Sequence, residues 1–346
     1  MAPARVSLMR RHWIALAVAA ALLVGLDTGL PHVLNAYYLT ILTRIGVAVL
    51  AAVSLQLVNG FTGQFSIGHA GFMAVGAYVS AALSVYLGAG WLVALTALLP
   101  APLARACYFP IPLVAGGLAA ALAGLAVGIP ALRLRGDYLA IATLGFGEII
   151  RIAILNVDAV GGARGFSLTS AAQPAADLRY DGLGAIYAVV ALSVLVIARL
   201  VYSAGGLAFR AVREDETAAE SVGVATTRVK VEAFVVSSFF AGVAGALFAH
   251  SEGYVHTNSF AFLRSFEIVV FVVLGGLGSI SGAILAAAVL TAAPEVLRGL
   301  GEWRMILYSL LLIVTMILRP QGLMGQREFP IGRWLGTRPR QPHAAA

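Results

Sequence analysis

The chain has 346 residues, of which 60% are hydrophobic and only 11% charged, with a formal net charge of +7. A mean hydropathy of +0.91 implies more apolar surface than a water-soluble fold can hide, which excludes a soluble globular domain. The composition is that of an all-α, polytopic membrane protein, read as a single transmembrane domain over 1–346.

In chain order, a short tail at 1–12 carries Arg5, Arg10 and Arg11 and leads into an apolar run at 13–30. This start imitates a secretory signal. The run lacks a small-x-small cleavage site, however, so it reads as an uncleaved first span. Since a bilayer core takes roughly 20 apolar residues per helix, further spans are expected at 39–59, 70–89, 111–131, 138–155, 183–202, 231–251, 266–277, 282–297 and 304–318. Several of these are short, so the expected count is about eight to ten crossings. No Asp, Glu, Lys or Arg occurs from Ile45 to Ala104. The stretch 91–110 fits no span. WLVALTALL is too short, and Pro100, Pro102, Pro110 and Pro112 read as helix breakers, giving an external re-entrant or interfacial segment.

With the N-terminus inside, fifteen Lys and Arg fall on that side, counting the tail at 319–346, and six on the other. This is the positive-inside bias. It predicts cytoplasmic termini and an even span count, and it assigns the excess base to topology instead of nucleic-acid binding. The single Cys107 excludes an intrachain disulfide and any CxxC site, and no HxxxH pair occurs among six histidines. No metal or cofactor is expected.

Two segments are too rich in glycine to be plain helices. Asn59 to Gly76 reads NGFTGQFSIGHAGFMAVG, and each helical glycine costs about 1 kcal/mol against alanine. Non-helical backbone at membrane depth survives when buried in protein or lining a wet cavity. Gly63, Gln64, Ser66 and His69 are therefore candidates for a path wall or gate; close packing through small residues is the other reading. Leu274 to Gly282, LGGLGSISG, is a tight turn, a packing notch or the counterpart of the first break.

Charges at membrane depth are few. Arg44 sits near the start of the second span, and Glu148 and Arg151 share one face of a later helix. That pair either holds the bundle together or joins the polar path, since a buried charge costs roughly 2.5–3.5 kcal/mol unless paired or wetted. Asp27, Glu267 and Glu295 lie near span ends and read as interfacial. His69 and His250 read as packed or interfacial side chains, not as ligands.

Ser203 to Glu232 is a polar island holding nine of the 39 charged residues, between two apolar runs. Within it, Arg213 to Gly223 reads as a short helix with its acids early, favouring the helix dipole, and with Gly223 as a stop. Ala218 and Ala219 would give a smooth face for a partner's groove, although a merely solvated loop accounts for the composition equally well. The lone lysine, Lys230, follows no GxxxxGK[ST] sequence, so the chain itself has no P-loop. No GxSxG elbow or catalytic carboxylate pair occurs, which leaves little basis for a membrane-embedded enzyme.

The spacing of Ala218, Ala219 and Gly223 resembles the EAA motif of ABC importer permeases, with Thr217 in place of the opening glutamate and Glu216 one position earlier. NGFTGQFSIGHAGFMAVGAYVSA, PALRLRGDYLAIATLGFGEIIR, FRAVREDETAAESVGV, FFAGVAGALFAH, FEIVVFVVLGGLGSISGAILAA and LRPQGLMG, in this order, resemble the branched-chain amino-acid ABC permease family of the LivM type over roughly residues 40 to 325. The resemblance implies ABC importer permease architecture in a bacterial inner membrane. It further implies a second related permease, two cytoplasmic ATP-binding subunits and a periplasmic substrate-binding protein. Glu214, Glu216, Ala218, Ala219 and Gly223 would then form a cytoplasmic coupling helix in a loop at 203–230. Leucine, isoleucine or valine suits an apolar path, and relatives of this architecture also carry urea, short amides or aromatic acids. The alternative is an ion-coupled secondary transporter or channel, with Glu148, Arg151 and Arg44 carrying the coupling.

Overall fold

The computed structural model of the chain describes residues 32–134, 136–168, 182–319 and 321–325, together with Gly25, Asp27, Gly29, Leu30, Leu178, Tyr180 and Glu328. The expected tails at 1–12 and most of 319–346, and most of the expected span at 13–30, lie outside the described residues.

The helices are α1 (Ala36–Gln56), α2 (His69–Leu83), α3 (Ala89–Leu98), α4 (Ala101–Tyr108), α5 (Pro110–Ala131), α6 (Asp137–Leu155) and α7 (Leu183–Tyr202), then α8 (Ala204–Glu214), α9 (Glu216–Ser221), α10 (Thr226–Glu252), α11 (Phe262–Gly275), α12 (Ile280–Val296) and α13 (Trp303–Leu318). Among the described residues, eight helical stretches are long and apolar enough to cross a membrane, and α13 is a shorter apolar helix. Each of these nine contains or overlaps an expected span. The stretch at 266–277 was placed too narrowly, because helical structure there runs from Thr257 to Gly275. A two-residue ladder, β1 (Phe166–Ser167) with β2 (Tyr254–Val255), is a small departure from an all-helical chain.

The segment 91–110 corrects one expectation. Its prolines punctuate helices instead of preventing them: α3 ends before Pro100, Pro102 sits in the first turn of α4, and Pro110 and Pro112 open α5. A first-turn proline removes an N–H that has no helical partner anyway, and its fixed φ suits the position.

The core is built on α1 and α10. α1 buries an unbroken run from Gly46 to Gln56, and α10 packs most extensively against α5 and α2, then against α1. In lipid, apolar contact between helices gains nothing over contact with acyl chains, so close van der Waals fit has to carry the association. Glycine supplies that fit. A Cβ on Gly76 would lie 2.2 Å from Gly242 O, and one on Gly116 would lie 2.6 Å from Gly76 O. Three backbones, those of α2, α5 and α10, therefore touch at one level. The periphery is different: α6 buries only Leu139, Ala140 and Thr143, and α13 buries nothing within the chain.

Candidate functional site: the polar island and the two helix breaks

The polar island folds as two helices, correcting the expected single helix over 213–223. Ser203 accepts from Gly206 N at 3.4 Å to open α8. At Asp215 the backbone turns extended (φ −157°), and its Oδ1 accepts from Thr217 N and Ala218 N at 2.8 and 3.0 Å, opening α9. A short acidic side chain competes for backbone donors in this way, which favours it at a helix N-cap and not in a helix interior. Gly223 ends α9 as expected, with φ +86° and its N–H donating to Glu220 O at 2.9 Å.

The outward face of α9 also differs from expectation. Ala219 is only 3% exposed and packs inward, whereas Glu214, Thr217, Ala218 and Ser221 face out, beside Val222 at 79% exposed. Val222 was missed by sequence reasoning. The inner face is tied to α10. Lys230 Nζ donates to Glu216 Oε1 at 2.5 Å, and Thr226 Oγ1 donates to Glu220 Oε1 at 2.6 Å. An open cleft of about 660 Å³ runs beside this joint, lined among others by Glu220, Val224, Arg228 and Glu232.

Below the island, α1 loses its regular winding. It passes into a π-helical turn at Leu57–Phe61, and then into non-helical backbone up to Gly68. The expected break is therefore present, and it is buried except at Gly63 and Phe65, which are exposed, and Ile67, which is half-buried. Asn59 braces it by donating to Ser66 O at 3.3 Å while its Oδ1 accepts from Ser66 N at 3.1 Å. Gly68 is required by proximity, because a Cβ there would lie 2.2 Å from Thr143 O of α6. His69 opens α2 with Nε2 2.8 Å from Ser54 Oγ, and His250 lies with Nε2 2.9 Å from Ser84 Oγ. Both histidines are packed in the interior. Gln64 stands apart: it is 5% exposed, and both ends of its amide lack a hydrogen-bond partner among the described residues.

Of the expected path residues, Gly63, Gln64, Ser66 and His69 thus share the first break. Glu148 and Arg151 do not join them. They bond each other, with Nε 2.7 Å from Oε2, on half-buried positions of α6. Their contact with the break is indirect, through Gly147, where a Cβ would lie 3.3 Å from Gly68 Cα. Arg44 likewise has its own partner, Glu252, at 2.9 Å. All three charges of the alternative reading are thus paired inside the chain.

The second break, between α11 and α12, meets the first. Gly276 and Gly278 have φ +108° and +90°, which an L side chain would strain. Gln56 Nε2 donates to Gly276 O at 2.8 Å and to Ser279 O at 3.2 Å. A Cβ on Gly60 would lie 2.6 Å from Gly278 N. From the tail, Leu323 N donates to Leu274 O at 2.7 Å. Tyr202 OH and Ile280 N both donate to Glu328, the latter at 2.8 Å. Sequence reasoning missed Gln56. A lone amide inside an uncharged apolar run was the signal that could have found it.

Comparison with known proteins accords with this architecture. Residues 37–318 match the family described as branched-chain amino acid transport system / permease component. The chain is 38% identical over 331 residues to the high-affinity branched-chain amino acid transport system permease protein LivM of Escherichia coli (strain K12), covering 88% of this chain and 73% of that protein. It is also 38% identical over 321 residues to the Salmonella typhimurium LivM, covering 85% and 71%. The LivH permease protein of Escherichia coli (strain K12) is 26% identical over 297 residues, covering 81% and 91%. No solved structure matches. A bundle of apolar spans with two interlocked glycine breaks, matched along most of its length by these transport proteins, belongs to the branched-chain amino acid permease family.

Proposed function

We propose that this chain is the LivM-type translocation subunit of an ABC importer for leucine, isoleucine or valine, held in a bacterial inner membrane with both termini cytoplasmic. It pairs with a second, LivH-like permease. Two cytoplasmic ATP-binding subunits drive the pair, and a periplasmic binding protein delivers the solute. The excess of Lys and Arg on one side of the spans supports the orientation. Similarity to both LivM and LivH, each named for a branched-chain amino acid transport system, supports the pairing and the cargo.

The observation that carries the reading is the two-sided character of α9. Its outer face presents Thr217, Ala218 and Val222 to a partner, while its inner face is fixed to α10 by the Glu216–Lys230 pair. Lys230 is buried, and separating a buried ion pair by losing one partner costs about 3–5 kcal/mol. A push on α9 is therefore handed to α10 instead of being absorbed at the joint. Because α10 packs against α1, α2 and α5, the bundle receives the displacement as a unit and rocks between outward- and inward-facing states. The first break supplies the wall of the path, and the Gln64 amide, buried there without a partner among the described residues, would meet a passing ammonium or carboxylate group once the bundle opens.

Ala218→Arg tests this. With the chain still inserted in the membrane, uptake of labelled leucine should fall to near background in native vesicles. Undiminished uptake removes α9 as the docking element. A cysteine in place of Ala218 should react only with reagents on the cytoplasmic side.

A further inference from the structure

Arg213 lies in the last turn of α8, two residues before the Asp215 cap of α9, and its side chain is 27% exposed. Nη1 donates to Gly60 O, in the π-helical turn of the first break, at 2.9 Å. The arginine stem lies against Gly63: a Cβ there would lie 3.2 Å from Arg213 Cγ and 3.4 Å from its Cα. Across the second break, a Cβ on Gly278 would lie 2.5 Å from Nη1. The guanidinium therefore occupies a slot floored by glycines of both breaks, and a side chain at Gly63 or Gly278 would crowd or strain that slot.

The nearest carboxylate, Glu214, is 3.8 Å away and 78% exposed, so screening by solvent leaves that pair little strength. The hydrogen bond from a cation to a half-buried carbonyl is the stronger tie. It lands on a π-turn, a winding often found at functional points of helices. α8 itself packs against this turn and against α10.

We infer that Arg213 is a positioning residue that couples the polar island to both glycine breaks. A displacement of α9 drags the end of α8, and the guanidinium carries that displacement to the Gly60 carbonyl and to the face of Gly278. The two breaks then shift together. This rests on the reading of α9 as the element that receives force, and it adds a second route, separate from the Glu216–Lys230 joint.

The test uses the whole importer, purified with its companion subunits and reconstituted in vesicles. For R213M, uptake per ATP hydrolysed should fall about tenfold, within the range for coupling between distant sites, in complexes of unchanged subunit composition. R213K should restore part of it. Hydrogen exchange gives the discriminating readout. ATP-analogue binding should alter exchange at 57–63 and 276–279 in the unmodified complex. In R213M that response should vanish, while the response at 216–221 persists. Unchanged coupling in R213M overturns the proposal. So does a loss of uptake in both variants that merely tracks loss of assembled complex. Absence of ATP-driven uptake by the unmodified complex would overturn the importer reading itself, a distinct failure.

Discussion

The break at Asn59–Gly68 has a brace of its own, Asn59 on Ser66, beside single bonds from Arg213 and to Thr143, whereas the break at Gly275–Ser279 borrows most of its support. Gln56 from α1, Leu323 from the tail and Glu328 beyond it supply the donors and acceptors of the second break. A self-braced segment keeps its shape whatever its neighbours do, while a segment held by remote groups follows them. The first break is thus suited to shift as one braced piece, and the second to change its own shape when its remote supports move.

Four experiments sharpen or break that contrast. Gly60→Val should do the most damage, because its side chain would enter both breaks at once, 2.6 Å from Gly278 N and 2.7 Å from Gln56 Cδ. Overpacking costs about 1–3 kcal/mol and more where backbone has to move, so the detergent-solubilised chain should lose much of its thermal stability. A variant with unaltered melting would show that the two breaks are not in contact. Gln56→Ala should come next. It removes one donor each from the carbonyls of Gly276 and Ser279, which keep the N–H groups of Ser279 and Ala283, at about 0.5–1.5 kcal/mol for each bond lost. Its hydrogen exchange should rise at 276–279 and not at 62–68. Equal rises in both segments would erase the distinction between the two breaks.

Gln64→Met should leave stability unchanged or slightly higher, since replacing an unpartnered buried amide relieves its desolvation. Uptake should nonetheless fall. Unimpaired uptake would remove Gln64 from the path. The smallest effect is expected at Glu328, whose carboxyl is pushed up by burial against the opposing Ile280 N–H. A raised carboxyl pKa in the folded state means stability that is present at low pH and lost as pH rises through the raised value. Relative to E328Q, the natural chain should therefore lose ground as pH climbs above the ordinary carboxylate range. A difference that does not vary with pH would refute this titration.

How much of this was readable beforehand follows from the range of the interactions. Spans announce themselves locally, since each needs only its own apolar run, and nine expected segments coincide with helices. The first break was legible because glycine acts on its own backbone. Gly223 was legible for the same reason. The split at Asp215 was less so, although an aspartate ahead of Glu-Thr-Ala-Ala is a recognisable N-cap. The inward turn of Ala219 was out of reach, because which face of a one-and-a-half-turn helix meets the bundle depends on where α10 lies. Gln56 and Arg213 reach partners 220 and 153 positions away, and no spacing rule covers such distances.

Lys230 is the sole lysine of the chain, and it is 8% exposed and engaged with Glu216. In the folded protein the side chains therefore offer amine-reactive reagents almost nothing to grip. Contacts made through its side chains will largely escape succinimidyl ester crosslinking, and a protease specific for lysine will pass over the native fold. Maps of its neighbourhood have to be drawn through carboxylates, arginines or introduced thiols. Conversely, cleavage appearing at Lys230 would report that the joint between α9 and α10 has come open.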